Sequence, residues 1–245
     1  MRSIAILMHD RSRIRNVEEF PVWRARMFSS RRKLLTTIVL SPGLFVAAQA
    51  ALAQSARQMQ EGKDFRFVTP AQPVESGNKI EVVEFFQYSC PHCMAYEPTL
   101  QAWKKTLPAD VEYRRVPISW DDKSVPHVRT YYTLEALGKT NELHSKVFEA
   151  VQVKRMPMLK PEEIADFMAT NGIDRKQWLD AYNSFSVGAR ANRAGQLWRS
   201  YKVDGTPSMA VDGKYVTAPS MAGSRENSVV VLDALIQRAR AERKK

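Results

Sequence analysis

The chain holds two cysteines, Cys90 and Cys93, with Pro91 and His92 between them. Thiols three residues apart can trade a disulfide for a dithiol, form a fixed crosslink, or supply half of a metal site. A crosslink closing about four residues removes only on the order of 2 kcal/mol of unfolded-chain entropy, against about 3 for a fifteen-residue loop, so a stabilising bridge belongs elsewhere. A structural zinc site wants four ligands, yet there is no second cysteine pair, and His127 and His144 lie far away along the chain. Reversible redox exchange is the chemistry that this pair supports unaided.

The flanking elements fit that chemistry. The apolar run Val82-Val83-Glu84-Phe85-Phe86 leads into the pair, and helical spacing follows it. The sulfurs therefore sit where a strand stops and a helix starts. A helix N-terminus carries unpaired N–H groups and the positive end of the macrodipole, which favour a reactive thiolate at Cys90. Residues i and i+3 of a helix have Cα atoms roughly 5 Å apart, within the span of a disulfide. Pro91 suits the first helical turn, where its missing N–H is not needed. Cys93, Glu97, Leu100, Trp103 and Leu107 then form a core-facing stripe, and Pro98 is expected to kink the helix.

Phe65–Val68 alternates as a short strand, Lys79–Phe86 reads as the central strand, and Val111–Ile118 as a third. Five helical segments follow between about 120 and 200, the first capped by Ser124, and their stripes should pack as a small bundle. Ser208–Val211 and Tyr215–Thr217 flank Asp212-Gly213, a strong hairpin dipeptide. A last helix runs from about Arg225 to Glu242, and its basic end complements the helix dipole. A helical block thus interrupts an α/β unit.

Residues 1–53 look like a leader. Nine of them are basic and three acidic, Arg31-Arg32-Lys33 precede a mostly apolar run, and Ala51-Leu52-Ala53 is an A-x-A cleavage signature. Met27 is a possible true start. Ser30-Arg31-Arg32 loosely matches a twin-arginine signal, but the general secretory route is expected. The remaining body carries only +5 of the formal charge of +11. This is read as solvated surface, with no nucleic-acid partner. Export implies an oxidising compartment, and two cysteines suit a protein that handles the disulfides of others.

This order, together with Phe85-Phe86 through Cys90-Pro91-His92-Cys93, Glu84 six residues before the first cysteine, Pro98 five after the second, and Thr206-Pro207 opening a late strand, resembles the DsbA family of the thioredoxin superfamily. The resemblance spans essentially the whole mature chain. It implies an α/β thioredoxin fold, residues 54–119 and 201–245, with an inserted helical domain, 120–200. It implies a periplasmic oxidase that donates the Cys90–Cys93 disulfide to newly exported, unfolded proteins with free thiols. No cofactor beyond the cysteine pair is implied. A DsbB-like quinone-linked membrane oxidase would restore the disulfide, and a monomer is expected.

The resemblance also assigns roles. Cys90 is the attacked sulfur and Cys93 the resolving one. The His92 imidazole stabilises the Cys90 thiolate, and Pro91 stiffens the turn. Glu84 is a buried proton relay, although no charged partner for it is evident in the sequence. Pro207 is preceded by a cis bond that turns the Thr206 backbone toward Cys90 to pair with substrate. Met94 and Met209 are candidate substrate contacts. Stabilising the thiolate stabilises the reduced form and makes the disulfide a strong oxidant, a logic for which DsbA is itself the standard example. A reductase or isomerase of the same fold, or a client-binding chaperone, is the alternative.

Overall fold

The computed structural model describes residues 59–244. The leader expected over 1–53 lies outside the described residues. The sheet has five strands in the order β1-β5-β4-β2-β3: β1 (Arg66–Phe67), β2 (Ile80–Phe86), β3 (Val111–Pro117), β4 (Ser208–Val211) and β5 (Tyr215–Thr217). β2 is buried at every position. It runs parallel to β3, with Ile80 opposite Val111, and antiparallel to β4, with Val82 opposite Val211. Its Val, Ile and Phe content suits a strand covered on both faces.

A parallel pair needs a crossover, supplied here by α1 (Pro91–Lys104), a single helix that continues through Pro98. Between β3 and β4 lie α2 (Val125–Ala136), α3 (Thr140–Gln152), α4 (Pro161–Ala169), α5 (Arg175–Tyr182) and α6 (Phe185–Ser200). These are the five segments that the spacing indicates. The sheet ends against α7 (Pro219–Ala222) and α8 (Arg225–Arg243). The four residues of α7 are too few to show a helical period in sequence.

Alternation along β2 sorts the core. Val83 and Phe85 face a cluster shared with Leu143, Val147 and Phe148 of α3 and with Trp178 of α5. Ile80 and Val82 face the other side, under Tyr96, Leu100 and Trp103 of α1 and Leu232, Leu235 and Ile236 of α8. Glu84 shares the parity of Val82, so it projects toward α1.

Local details differ from expectation. Ser124 does not cap α2: its hydroxyl is held by Asp121 at 2.8 Å, and Asp121 also takes the Ser124 N–H at 3.0 Å. The basic end of α8 does more than complement a dipole. Arg238 lies over the rings of Phe65, Phe67 and Tyr215, and Arg240 grips Asp110 at 2.7 and 2.9 Å. The β4–β5 turn places both Asp212 and Gly213 at positive φ, 54° and 68°, as the Asp-Gly dipeptide demands. A Cβ on Gly213 would stand 1.9 Å from the Gln72 carbonyl oxygen. Among the described residues no helix is long and apolar enough to cross a membrane.

Candidate active site

Cys90 is the N-cap of α1, with extended backbone (φ −85°, ψ 113°) and Pro91 in the first turn. The capping position calls for a side-chain acceptor, and here sulfur fills it, taking the Cys93 N–H at 3.4 Å. Cys90 is half-buried and Cys93 fully buried, both as free thiols. The environment splits them. The Cys93 thiol hydrogen-bonds the Cys90 sulfur and, with the Thr206 side chain and the backbone N–H groups of Cys93 and His92, overcomes desolvation to bring Cys90 down to about 5. Burial, reinforced by Cys90, pushes Cys93 far up. At neutral pH one sulfur is a thiolate and the other keeps its proton.

Thr206 faces the pair from the segment before β4. The Cys90 Sγ lies 3.2 Å from the Thr206 carbonyl oxygen, and the Thr206–Pro207 bond is cis, as is Thr69–Pro70. The His92 ring is exposed and lines the adjoining groove; toward sulfur, His92 contributes its backbone N–H. This groove, about 680 Å³, continues past Pro207 to Val216, Pro219 and Met221, with Arg66, Arg225 and Glu226 at its polar margins.

Beneath α1 lies a charged cluster. Glu84 is fully buried, and the sequence did not disclose its partner: Arg115, on β3, meets it at 2.9 Å. The same guanidinium reaches Glu97 of α1 at 2.7 Å. Tyr113 donates a second, short hydrogen bond to Glu84. Burial raises Glu84 despite Arg115. Burial also works to raise Glu97, but His144, Arg115 and Gln101 outweigh it and hold that carboxyl at about 2. The His144 contact is 3.6 Å, too long for a full hydrogen bond, so Arg115 is the stronger partner. Burial drives His144 down to about 4, which leaves its ring neutral at pH 7, bonded to the Tyr88 hydroxyl at 2.9 Å.

The structure therefore brings Cys90, Cys93, His92, Pro91, Thr206 and Pro207 to one end of the sheet, with Glu84 buried below. Met94 is partly buried against the core beside Cys90. Met209 is fully buried in the opposite cluster and does not line this groove, because β4 directs it between the sheet and α8. Arg115 and Glu97 escaped the sequence reading, although a glutamate on the apolar stripe of α1 was a usable signal. Among the described residues no group of three or more His, Cys, Asp or Glu could hold a metal ion.

Residues 81–227 match the model of the DSBA-like thioredoxin domain. The thiol:disulfide interchange protein DsbA of Burkholderia cepacia is 40% identical over 208 residues, covering 84% of this chain and 96% of that protein. Its counterpart from Pseudomonas aeruginosa is 37% identical over 211 residues, covering 86% and 100%. The crystal structure of Pseudomonas aeruginosa DsbA superposes with a TM-score of 0.74 at 39% identity, covering 76% of this chain and 97% of that one.

Proposed function

The chain belongs to the DSBA-like thioredoxin family and is a thiol:disulfide oxidoreductase, and from that premise we propose that it works as a donor of disulfides to newly exported proteins in the periplasm. The observation that carries this direction of transfer is the split between the sulfurs. A thiolate held at about 5 on Cys90 favours the dithiol, and a favoured dithiol makes the disulfide oxidising.

In the disulfide form Cys90 is the sulfur that a substrate can reach, since Cys93 is buried. A substrate thiolate attacks Cys90 Sγ, the Cys90–Cys93 bond breaks, and its electron pair goes to Cys93. That sulfur resists negative charge and takes up a proton, for which Glu84 is the relay: burial raises its carboxyl, which favours its holding and passing a proton. A second substrate thiolate attacks the substrate sulfur of the mixed disulfide, and Cys90 leaves as its stabilised thiolate. Two electrons pass to the cysteine pair, and the substrate gains one disulfide. Pro91 fixes the turn. The Thr206 carbonyl and the groove beyond Pro207 accept an extended substrate segment, and the exposed His92 ring borders the path of the incoming thiol.

On this reading residues 1–53 are the export leader and 120–200 an insertion in a thioredoxin domain formed by 54–119 and 201–245. The protein acts as a monomer, and a DsbB-like membrane oxidase restores the disulfide. The test is a trapping experiment with a peptide whose single cysteine is held in a disulfide with a good leaving thiol, so that attack by a thiolate forms the mixed disulfide and releases that thiol. Cys93→Ala should accumulate a mixed disulfide at Cys90, and Cys90→Ala should accumulate none. Accumulation at Cys93 in the second variant would overturn the assignment.

A further inference from the structure

Gln152 is the last residue of α3, on a helix the redox step does not otherwise use. Its side-chain amide donates to the Tyr88 carbonyl oxygen at 2.8 Å and to the Cys90 carbonyl oxygen at 2.9 Å. Both partners only accept, so the NH2 group must face them, and both of its hydrogens are committed. The Cys90 carbonyl also accepts from the N–H groups of Cys93, at 3.1 Å, and Met94, at 3.2 Å. One amide from the helical block thus grips both ends of the Tyr88-Ser89-Cys90 turn that aims the reactive sulfur. The mount is firm. The chain after Gln152 is folded back by the Met156 N–H on the Ala150 carbonyl, at 2.9 Å, and His127 holds the Pro157 carbonyl at 2.8 Å.

We propose that Gln152 is a positioning residue for the redox reaction, tying the helical block to the Cys90 turn and favouring the reduced state of the pair. The clamp acts unequally on the two redox states. In the dithiol, the N–H groups of Cys93 and His92 must point at a charged sulfur, and a loosened turn misdirects them. In the disulfide there is no charge to aim at, so the same loosening matters less. Only such a differential contact can move the equilibrium.

The proposal rests on the function above, and its test reads the sulfur directly. In the purified protein, Gln152→Met keeps the bulk and removes both donors, and Gln152→Ala serves as a second variant with a helix-favouring side chain. The Cys90 midpoint, followed by thiolate absorbance, should rise by roughly half to one pH unit, the loss expected for a hydrogen bond that acts on one charged state. The equilibrium constant for reduction by glutathione should fall about three- to tenfold, the same free energy expressed as a ratio. Arg175→Ala, which breaks an exposed ion pair with Asp166 elsewhere in the helical block, should move neither. Midpoints unchanged in both Gln152 variants would overturn the proposal. A wild type that oxidises no dithiol peptide would refute the functional reading instead, while the midpoints would still decide the role of Gln152.

Discussion

Replacing Arg115 with Met should reveal what the buried charge cluster contributes. The side chains of Arg115, Glu84 and Glu97 are 5%, 1% and 8% exposed, and the guanidinium is bonded to both carboxylates, at 2.9 and 2.7 Å. Removing it leaves two buried carboxylates facing one another across a space filled by thioether. Breaking a buried pair from one side costs about 3–5 kcal/mol, because the stranded charge keeps its desolvation penalty. With a urea slope of about 2 kcal/mol per M, the unfolding midpoint should fall by roughly 2 M at pH 7.5. The pH dependence has a definite sign. In the wild type, Glu97 is held below its unfolded value, so its contribution is present above about pH 4.3 and is lost as pH falls toward about 2. In the variant, His144 and Gln101 still hold Glu97 and Tyr113 still bonds Glu84, but without Arg115 both carboxyls shift upward and Glu84, already raised by burial, rises further, so the variant loses stability relative to the wild type as pH rises. The gap between the proteins should therefore narrow from pH 7.5 to pH 4.5. A gap below about 1 kcal/mol at pH 7.5, the range of an exposed pair, or one that does not narrow, would refute the reasoning.

Glu84→Gln should slow oxidation of a dithiol peptide on the order of a hundredfold and remove the fall in rate on the alkaline side of its pH profile, where a proton donor would lose its proton, with the Cys90 midpoint nearly unmoved. Thr206→Val removes the hydroxyl that faces the Cys90 sulfur; the Cys90 midpoint should rise by about one pH unit, read by thiolate absorbance. Gly213→Ala forces a Cβ against the Gln72 carbonyl at a φ of 68°. It should lower stability by about 2 kcal/mol or more, seen as a melting midpoint roughly 4–8 °C lower.

Much of the site could be read from residue order because its geometry is local. Cys90, Pro91 and Cys93 obtain their places from one helix start, and the Asp212-Gly213 turn from its own backbone preferences. The Thr206–Cys90 approach joins residues 116 positions apart; it was legible through family resemblance, not through any local pattern. Arg115 was hidden because Arg114-Arg115 reads as a solvated charged pair on a half-exposed strand, and only the parallel register with β2 sets Arg115 opposite Glu84. Met209 was misjudged because an apolar side chain just after Thr206-Pro207 says nothing about which face of β4 carries it. Gln152 gives no sequence signal, being a polar residue at a helix end whose partners lie on another element.

The central claim is that the closed cysteine pair is less stable than the open one because Cys90 holds its negative charge cheaply. The most direct measurement is equilibration of the purified protein with glutathione across pH 5 to 8. Glutathione should reduce the pair readily at pH 7. The stability of the reduced form against unfolding should rise with pH above about 5, where the folded Cys90 is ionised and the unfolded one is not, and be lost as pH falls through that value. A pair that stays closed in mostly reduced glutathione, with no such dependence on pH, would contradict the account.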